Sequence, residues 1–377
     1  MIKNLIFKNS FLLLLLLPIY VYPQQIIENK TFTKGFTLEN KKNIVIRNCT
    51  FGNKEGRIGF NIQNCENIRI ENCKIAGVGN ESYSDYYKST LLPTDSTDFA
   101  VMKGNFNAIG LFLMNCKNIT VKSCEIIDVF GQGLKVAGDN ADKVSGIIID
   151  SCRLAYIYDD GIKVEVENDQ SDFDKVLPMK NVVIKNNIIH DIGLGITQLP
   201  YARHGMYVKS RDALIEGNTI YNCFYGEGIS LRNAGLVRNN KVWNCYIGCI
   251  GFWPQTNTSG SSKTVIIENN ICRQDYNLDL KMRHIYFPAN DPVIKFNIIQ
   301  WRFFETDRTV AAIDKFVIRN NTLIAGPDYR TSQAMMVAFE QPKKNQILVL
   351  EGNEMIDKSG NNMYFINIPK LKNEAKK

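Results

Sequence analysis

The sequence predicts an all-β chain built by repetition, and three observations carry that prediction. First, short alternating strands ending in a small polar pair recur along its 377 residues. Second, a glycine-led strand recurs beside them in register. Third, with 45% hydrophobic and 22% charged residues, the chain can bury a core and is neither a disordered nor a nucleic-acid-binding tail. The expected architecture is a single-stranded right-handed parallel β-helix of about eleven rungs with long loop insertions.

From the N-terminus, Lys3 and Lys8 precede an apolar run, Phe11 to Tyr22, that contains Leu12 to Leu17 and Pro18. A charged start and a short apolar middle predict a signal peptide over 1–24. A membrane span needs about 20 apolar residues, and Gln24, Gln25, Glu28, Asn29 and Lys30 end this run short of it. The mature protein is therefore expected to be secreted or periplasmic, with no membrane span after signal removal. Residues 25–377 are expected to form the β-helix domain with N- and C-terminal caps.

The first strand type ends at Cys49, Cys73, Cys124 and Cys152, and later copies carry Asn in the same place. Those copies span Val182 to Asn187, Ala213 to Asn218, Leu236 to Asn240, Val265 to Asn270, Val293 to Asn297, Phe316 to Asn321 and Ile347 to Asn353. Eleven marks across 353 − 49 = 304 residues give about 30 per repeat. A unit that small cannot bury its own apolar face, so units must stack, with like residues in ladders about 4.8 Å apart. Eleven rungs at that spacing make a rod on the order of 50 Å long. Cysteine in this column predicts buried thiols rather than disulfides, and the spacing fits no zinc ligand set. Cys65 and Cys116 fall just before strands.

The second strand recurs as Gly131-Gln-Gly-Leu-Lys-Val-Ala137, Asp159-Asp-Gly-Ile-Lys-Val-Glu165, Arg203-His-Gly-Met-Tyr-Val-Lys209 and Gly226-Glu-Gly-Ile-Ser-Leu-Arg232, then less regularly as Gly248-Cys-Ile-Gly-Phe-Trp253. Alternation sends Leu134, Ile162, Met206 and Ile229 inward. Lys135, Lys163, Tyr207 and Ser230 then face out, beside Ala137, Glu165, Lys209 and Arg232, with Trp253 near the end. Gln132, Asp160, His204 and Glu227 precede a glycine, and strict alternation would turn them inward. The recurring glycine predicts a bend that re-aims them toward the outward patch. Insertions near 77–106, 165–180, 192–203 and 253–263 would flank this strand and wall a groove. His190 falls in a different column, with Ile127, Ala155, Tyr221 and Trp243, and reads as a surface or packing residue. His284 lies in an irregular stretch.

The repeat and its Asn ladder resemble the pectate-lyase-like superfamily of right-handed parallel β-helix proteins over nearly the whole mature length. For uronate-cleaving members, the resemblance implies β-elimination on an acidic polysaccharide or oligosaccharide. A base removes the proton next to the uronate carboxylate while cations hold the developing charge. That makes Lys163 and Arg232 candidates for carboxylate neutralisation, and His204 and Tyr207 for base and acid duties, since cations around a phenol favour its ionised form. Lys135, Asp160, Glu165, Lys209, Glu227 and Trp253 are the candidate substrate-binding residues.

Asp159-Asp160-Gly161 followed by Arg203-His204-Gly205 also resembles the motifs of polygalacturonase-type hydrolases. In that family a further Asp comes one rung earlier, and Gln132 stands at the matching position here; an amide cannot do the work of a carboxylate. A third reading is a non-catalytic glycan-binding rod. The pairs Asp159/Asp160 and Glu165/Glu167 are candidate Ca2+ ligands, and no other cofactor is implied. The net charge of +7 is modest and partly lies in a lysine-rich tail, so no nucleic-acid partner is expected. A monomer is expected.

Overall fold

A computed structural model of the chain describes residues 24–79, 107–166, 179–193, 203–224, 226–253, 258–276, 298–301, 313–329, 335–339 and 345–366. Among the described residues, three parallel sheets of eleven strands each wind into one β-helix, and every strand between the two ends pairs with its equivalents one rung before and after. The expected fold and rung number are both observed. Each rung contributes a strand to all three sheets, as with Glu66–Glu71, Lys74–Val78 and Ala108–Met114.

The rung number agrees although two of its members differ. Gln25–Glu28 is a rung without a recognised mark, pairing with the strand Lys42–Arg47. The mark at Val293 to Asn297 lies outside the described residues, and the ladder runs directly from Asn270 to Asn321 through a 3.0 Å side-chain bond.

The polar pair that closes each first-sheet strand has two jobs. Its first member takes a left-handed backbone, with φ of 54° at Asn48, 53° at Asn72, 56° at Asn186 and 57° at Asn239. Asparagine tolerates that conformation better than most residues, and it turns the chain into the second sheet. The second member points inward and joins the ladder. Asn240 donates one amide hydrogen to the Ile215 carbonyl (3.1 Å) and one to Asn270 Oδ1 (2.9 Å). Its own Oδ1 accepts from the Asn218 backbone N–H (2.9 Å) and side chain (3.0 Å). Every polar atom of the amide is thus satisfied within the buried interior.

The cysteines stand in the same column and face the same class of acceptor. Cys73, Cys124 and Cys152 thiols point at the carbonyls of Ile46 (3.7 Å), Ile70 (3.6 Å) and Val121 (3.6 Å), one rung back. The Cys152 N–H meets Asn187 Oδ1 at 2.8 Å, which joins the two halves of the ladder. All ten cysteines are buried free thiols, as expected. Burial pushes the Cys116 thiol up to about 12, against the lowering effect of a hydrogen bond from the Cys65 backbone, so it stays protonated.

Inside, the layers are Ile, Val, Leu and Phe at 0% exposure, for example Phe51, Phe60, Ile68, Ile126, Leu134, Ile162 and Ile229. The aromatic column His190, Tyr221 and Trp243 faces outward on the second sheet. Its rings stack at 4.8 Å and 4.6 Å, with His190 Nδ1 at 2.7 Å from Asp191 Oδ2. The rings spend their faces on one another, which fits the packing role expected for His190.

The ladder makes a stability prediction. Asn240→Ala strands the Ile215 carbonyl and the Asn218 amide hydrogens in the core, at about 1–3 kcal/mol for each buried unsatisfied group. Urea unfolding should show a loss of about 3 kcal/mol, whereas Cys124→Ala removes only a weak thiol donor and should cost about 1 kcal/mol. Equal losses would mean that the amide ladder carries no special weight.

Candidate functional site

The third sheet carries the residues singled out in the sequence, on the strands Gly131–Gly138, Ile162–Val166, Met206–Val208, Glu227–Leu231 and Gly248–Phe252. Lys135 pairs with Lys163, Lys163 with Tyr207 and Tyr207 with Ser230, so the expected column is real.

The glycine bend also exists, and its cause is visible. A Cβ on Gly205 would meet Ile220 Cγ2 at 2.8 Å and Cys223 Sγ at 3.0 Å, both in the core, and the Gly228 carbonyl at 2.5 Å. Gly205 therefore faces the interior, and so does Met206 after it. Two consecutive inward positions break the alternation, and the residue before the glycine turns outward. His204 is thereby brought over Tyr207, with ring centroids 5.5 Å apart.

Facing out did not leave these side chains exposed. Lys209 is 3% exposed, Arg232 6%, His204 2%, Asp160 4%, Glu227 1% and Ser230 0%. Tyr207, Lys163, Lys135, Glu165 and Trp253 are half-buried. Alternation fixes direction but not exposure, because neighbouring charges on stacked rungs fold over one another. Ala137 is fully buried.

Two clusters result. In the first, Glu165 gathers three ammonium groups, Lys135 and Lys163 at 3.3 Å and Lys209 at 3.9 Å. Burial raises the Glu165 pKa, but Lys163, Lys135 and Lys209 outweigh it and hold the carboxyl below the usual range. Burial opposes the charge on Lys163, yet Asp160 and Glu165 keep its pKa raised. Asp160 accepts the His204 backbone N–H at 2.7 Å and lies 3.9 Å from Lys163 Nζ. Burial, then the neighbouring Asp159 charge, push Asp160 up to about 6.

In the second cluster, Glu227 Oε2 lies 2.5 Å from His204 Nδ1, and Glu227 Oε1 accepts Trp253 Nε1–H at 2.6 Å. Burial would raise the Glu227 pKa, but His204, Arg232 and Trp253 together bring it down to about 2. The Arg232 guanidinium lies 4.6 Å from the Tyr207 ring centroid and 5.9 Å from that of Trp253, with Nη2 at 3.4 Å from His204 Nε2. Lys163 and Lys209 approach the Tyr207 ring to 5.7 Å and 5.5 Å. Tyr207 thus sits beside His204 and among three cations.

Asp160 and Glu227, both expected to bind substrate, are 4% and 1% exposed. Both are buried behind the patch and hold protein groups. Arg203 was quoted only as part of a motif, yet it stacks over Tyr158 at 4.7 Å and reaches Asp159 Oδ1 at 3.5 Å. Gln132 Nε2 donates to Asp159 Oδ2 at 3.2 Å. The signal for Arg203 was its place in the column after Asp159. Glu167, His284 and most of the loops expected to wall a groove lie outside the described residues. Among the described residues, no group of three or more His, Cys, Asp or Glu is placed to hold a metal ion. Glu165, ringed by ammonium groups that repel a cation, does not suit Ca2+.

The chain matches a family model described as "Right handed beta helix region" over residues 17–199. Among solved structures it is similar to the A-module of mannuronan C-5 epimerase AlgE4 from Azotobacter vinelandii. The two share 12% identity over 92% of this chain and 80% of that one, with a TM-score of 0.50. It is similar also to the GH136 lacto-N-biosidase of Eubacterium ramulus, with 12% identity, 88% of this chain, 62% of that one and a TM-score of 0.49. A third is PfbA, a surface adhesin of Streptococcus pneumoniae, with 11% identity, 88% and 82% coverage and a TM-score of 0.40. At these identities the likeness is one of fold. No curated protein sequence matches the chain.

The two perturbed acids predict opposite pH behaviour. Folding raises the Asp160 pKa, so its contribution to stability is full below the ordinary aspartate value, about 4, and is lost as pH rises through about 6. Glu227 contributes above the ordinary glutamate value, and that contribution is lost as pH falls toward about 2. Chemical denaturation from pH 4 to pH 7 should show a decline in wild type that Asp160→Asn lacks. An identical decline in both would assign it to another group.

Proposed function

We propose that the protein is an exported carbon–oxygen lyase that acts by β-elimination on uronate-containing polysaccharide or oligosaccharide. The observation that carries this reading is the Tyr207 ring, half-buried beside His204 and among Lys163, Lys209 and Arg232. Proton removal next to a carboxylate needs a base, an acid and positive charge aimed at the carboxylate as it gains enolate character. Cations in a partly dry site act more strongly than in water and are already oriented.

In this reading the uronate carboxylate sits against Lys163 and the Arg232 end of the patch. His204 and Tyr207 divide the proton transfers: one takes the proton from the carbon beside the carboxylate, and the other protonates the departing oxygen. The carbon–oxygen bond breaks as the carbon–carbon double bond forms, so no redox partner is needed. Lys135 and Lys209 add charge through the Glu165 cluster, and Trp253 offers an aromatic face to a sugar. A glycosidic leaving oxygen would make the enzyme a polysaccharide lyase, and a hydroxyl on a terminal uronate would make it a dehydratase. Export is inferred from the apolar run at Leu12 to Leu17 behind Lys3 and Lys8. The hydrolase reading, which would use Asp159, Asp160 and His204, is the weaker one because an amide, Gln132, stands where a further Asp is needed, and Asp159 and Asp160 hold Gln132, Arg203 and the His204 backbone N–H.

Incubation with a panel of uronate polymers and oligomers should generate ultraviolet absorbance from the unsaturated product. Tyr207→Phe, which keeps the ring and its packing, should lower that rate by about 100-fold or more. New reducing ends without absorbance would favour hydrolysis instead, and binding without either product would favour a glycan-binding rod. Activity of Tyr207→Phe within a few-fold of wild type would remove Tyr207 from the chemistry.

A further inference from the structure

The charges of the patch can be counted cluster by cluster. In the first, Lys135, Lys163 and Lys209 converge on Glu165, and Asp160 lies beside Lys163, so three cations meet two carboxylates, 3 − 2 = +1. Both carboxylates are mainly ionised at neutral pH, since Glu165 is held below the usual range and Asp160 is pushed up only to about 6. In the second, with His204 counted as neutral, Arg232 and Glu227 lie on either side of it and cancel, 1 − 1 = 0. Arg203 and Asp159 form a further neutral pair at 3.5 Å. The patch is therefore left with a single positive charge, and that charge belongs to the lysine cluster.

The rungs on either side differ in kind. One rung before Lys135 and Ala137, in register with them, stand Phe112 and Met114, and one rung before those stand Asn61 and Gln63. One rung beyond Ser230 stands Gly251, with Trp253 two residues on. None of these six outward positions carries a charge. The charged layer thus runs from Lys135 to Arg232, about 14 Å at three rung spacings, between uncharged flanks.

A glycan laid along these columns, with one carboxylate at the lysine cluster, carries its next sugars over the flanks. A carboxylate there would lose hydration and gain no cation in return. A second carboxylate over the centre would face Glu165 and Asp160 with the surplus charge already matched. A neutral sugar meets neither cost, and Phe112 and Trp253 offer it aromatic surface.

We propose that the patch selects a uronate flanked by neutral sugars, as in an alternating or sparsely charged acidic glycan, over a run of consecutive uronates. This rests on the elimination reading for the central uronate and narrows its substrate class. One carboxylate is bound and neutralised, and its neighbours are recognised as neutral pyranoses. Specificity comes as much from what the flanks refuse as from what the lysines attract.

Two sets of oligosaccharides of equal length test this at neutral pH: glucuronate or galacturonate alternating with neutral hexose, and the same uronates in unbroken runs. Calorimetric titration of Tyr207→Phe reads binding apart from turnover. The alternating set should bind about 10-fold more tightly or better, and wild-type kcat/KM for unsaturated product should favour it by a similar factor. Equal or tighter binding of the unbroken runs overturns the proposal. Met114→Lys places a cation on one flank at a half-buried outward position. It should strengthen binding of the unbroken runs by up to about 5-fold and leave the alternating set within about twofold. A preference unchanged in that variant, with circular dichroism showing an intact fold, would mean that flank charge does not set it. Tighter binding of the alternating set with no unsaturated product would sink elimination and leave the charge selection standing. Binding of neither set would sink both.

Discussion

Parallel hydrogen bonding between equivalent strands of successive rungs is the constraint on which the rest of this protein depends. It forces residues at the same place in each repeat to lie about 4.8 Å apart, so any property of a column is multiplied along the rod. A polar group in an inward column is tolerated only if its neighbours answer it. The amide ladder does so, each side chain from Asn187 to Asn321 bonding a carbonyl one rung back and an amide oxygen one rung on. Where Cys replaces Asn, the thiol turns to the same carbonyls with a weaker bond.

The same constraint builds the candidate site. Columns of outward residues on the third sheet stack charge on charge, and like charges one rung apart would repel. Glu165 relieves this for Lys135, Lys163 and Lys209, and Glu227 sits between His204 and the Arg232 side. The glycine column then supplies what straight strands cannot. It brings a third row, containing Asp160, His204 and Glu227, to the outer side next to Tyr207. The patch is therefore a dense and largely dry polar layer rather than a solvated sheet face, and its acids are driven apart in proton affinity, Asp160 upward and Glu227 downward.

Much of this was legible in the residues. The Asn and Cys marks predicted stacked rungs, and the aligned copies from Gly131 to Arg232 predicted both the outward column and the bend. Signals were weaker where repetition fails. The Gln25–Glu28 rung carries no mark, and Asn270 bonds Asn321 directly although a further mark lies between them in the sequence. Alternation could say that Lys209 and Arg232 leave the interior, but it could not say that both would end nearly buried. Exposure depends on what long side chains lie across, and that is settled between rungs.

The sequence by itself determined the repeat, the ladder, the buried core thiols and the register that places Lys163, Tyr207 and Ser230 in one column. These follow from periodicity, because stacking turns spacing along the chain into neighbours in space. Only the tertiary structure decided which of two carboxylates faces the His204 ring. Glu227 and Asp160 occupy equivalent places in their repeats, yet Glu227 reaches the His204 ring while Asp160 holds the His204 backbone. Equivalent positions share a backbone direction, but a side chain's partner depends on the rung above it, the rung below it and the water they exclude.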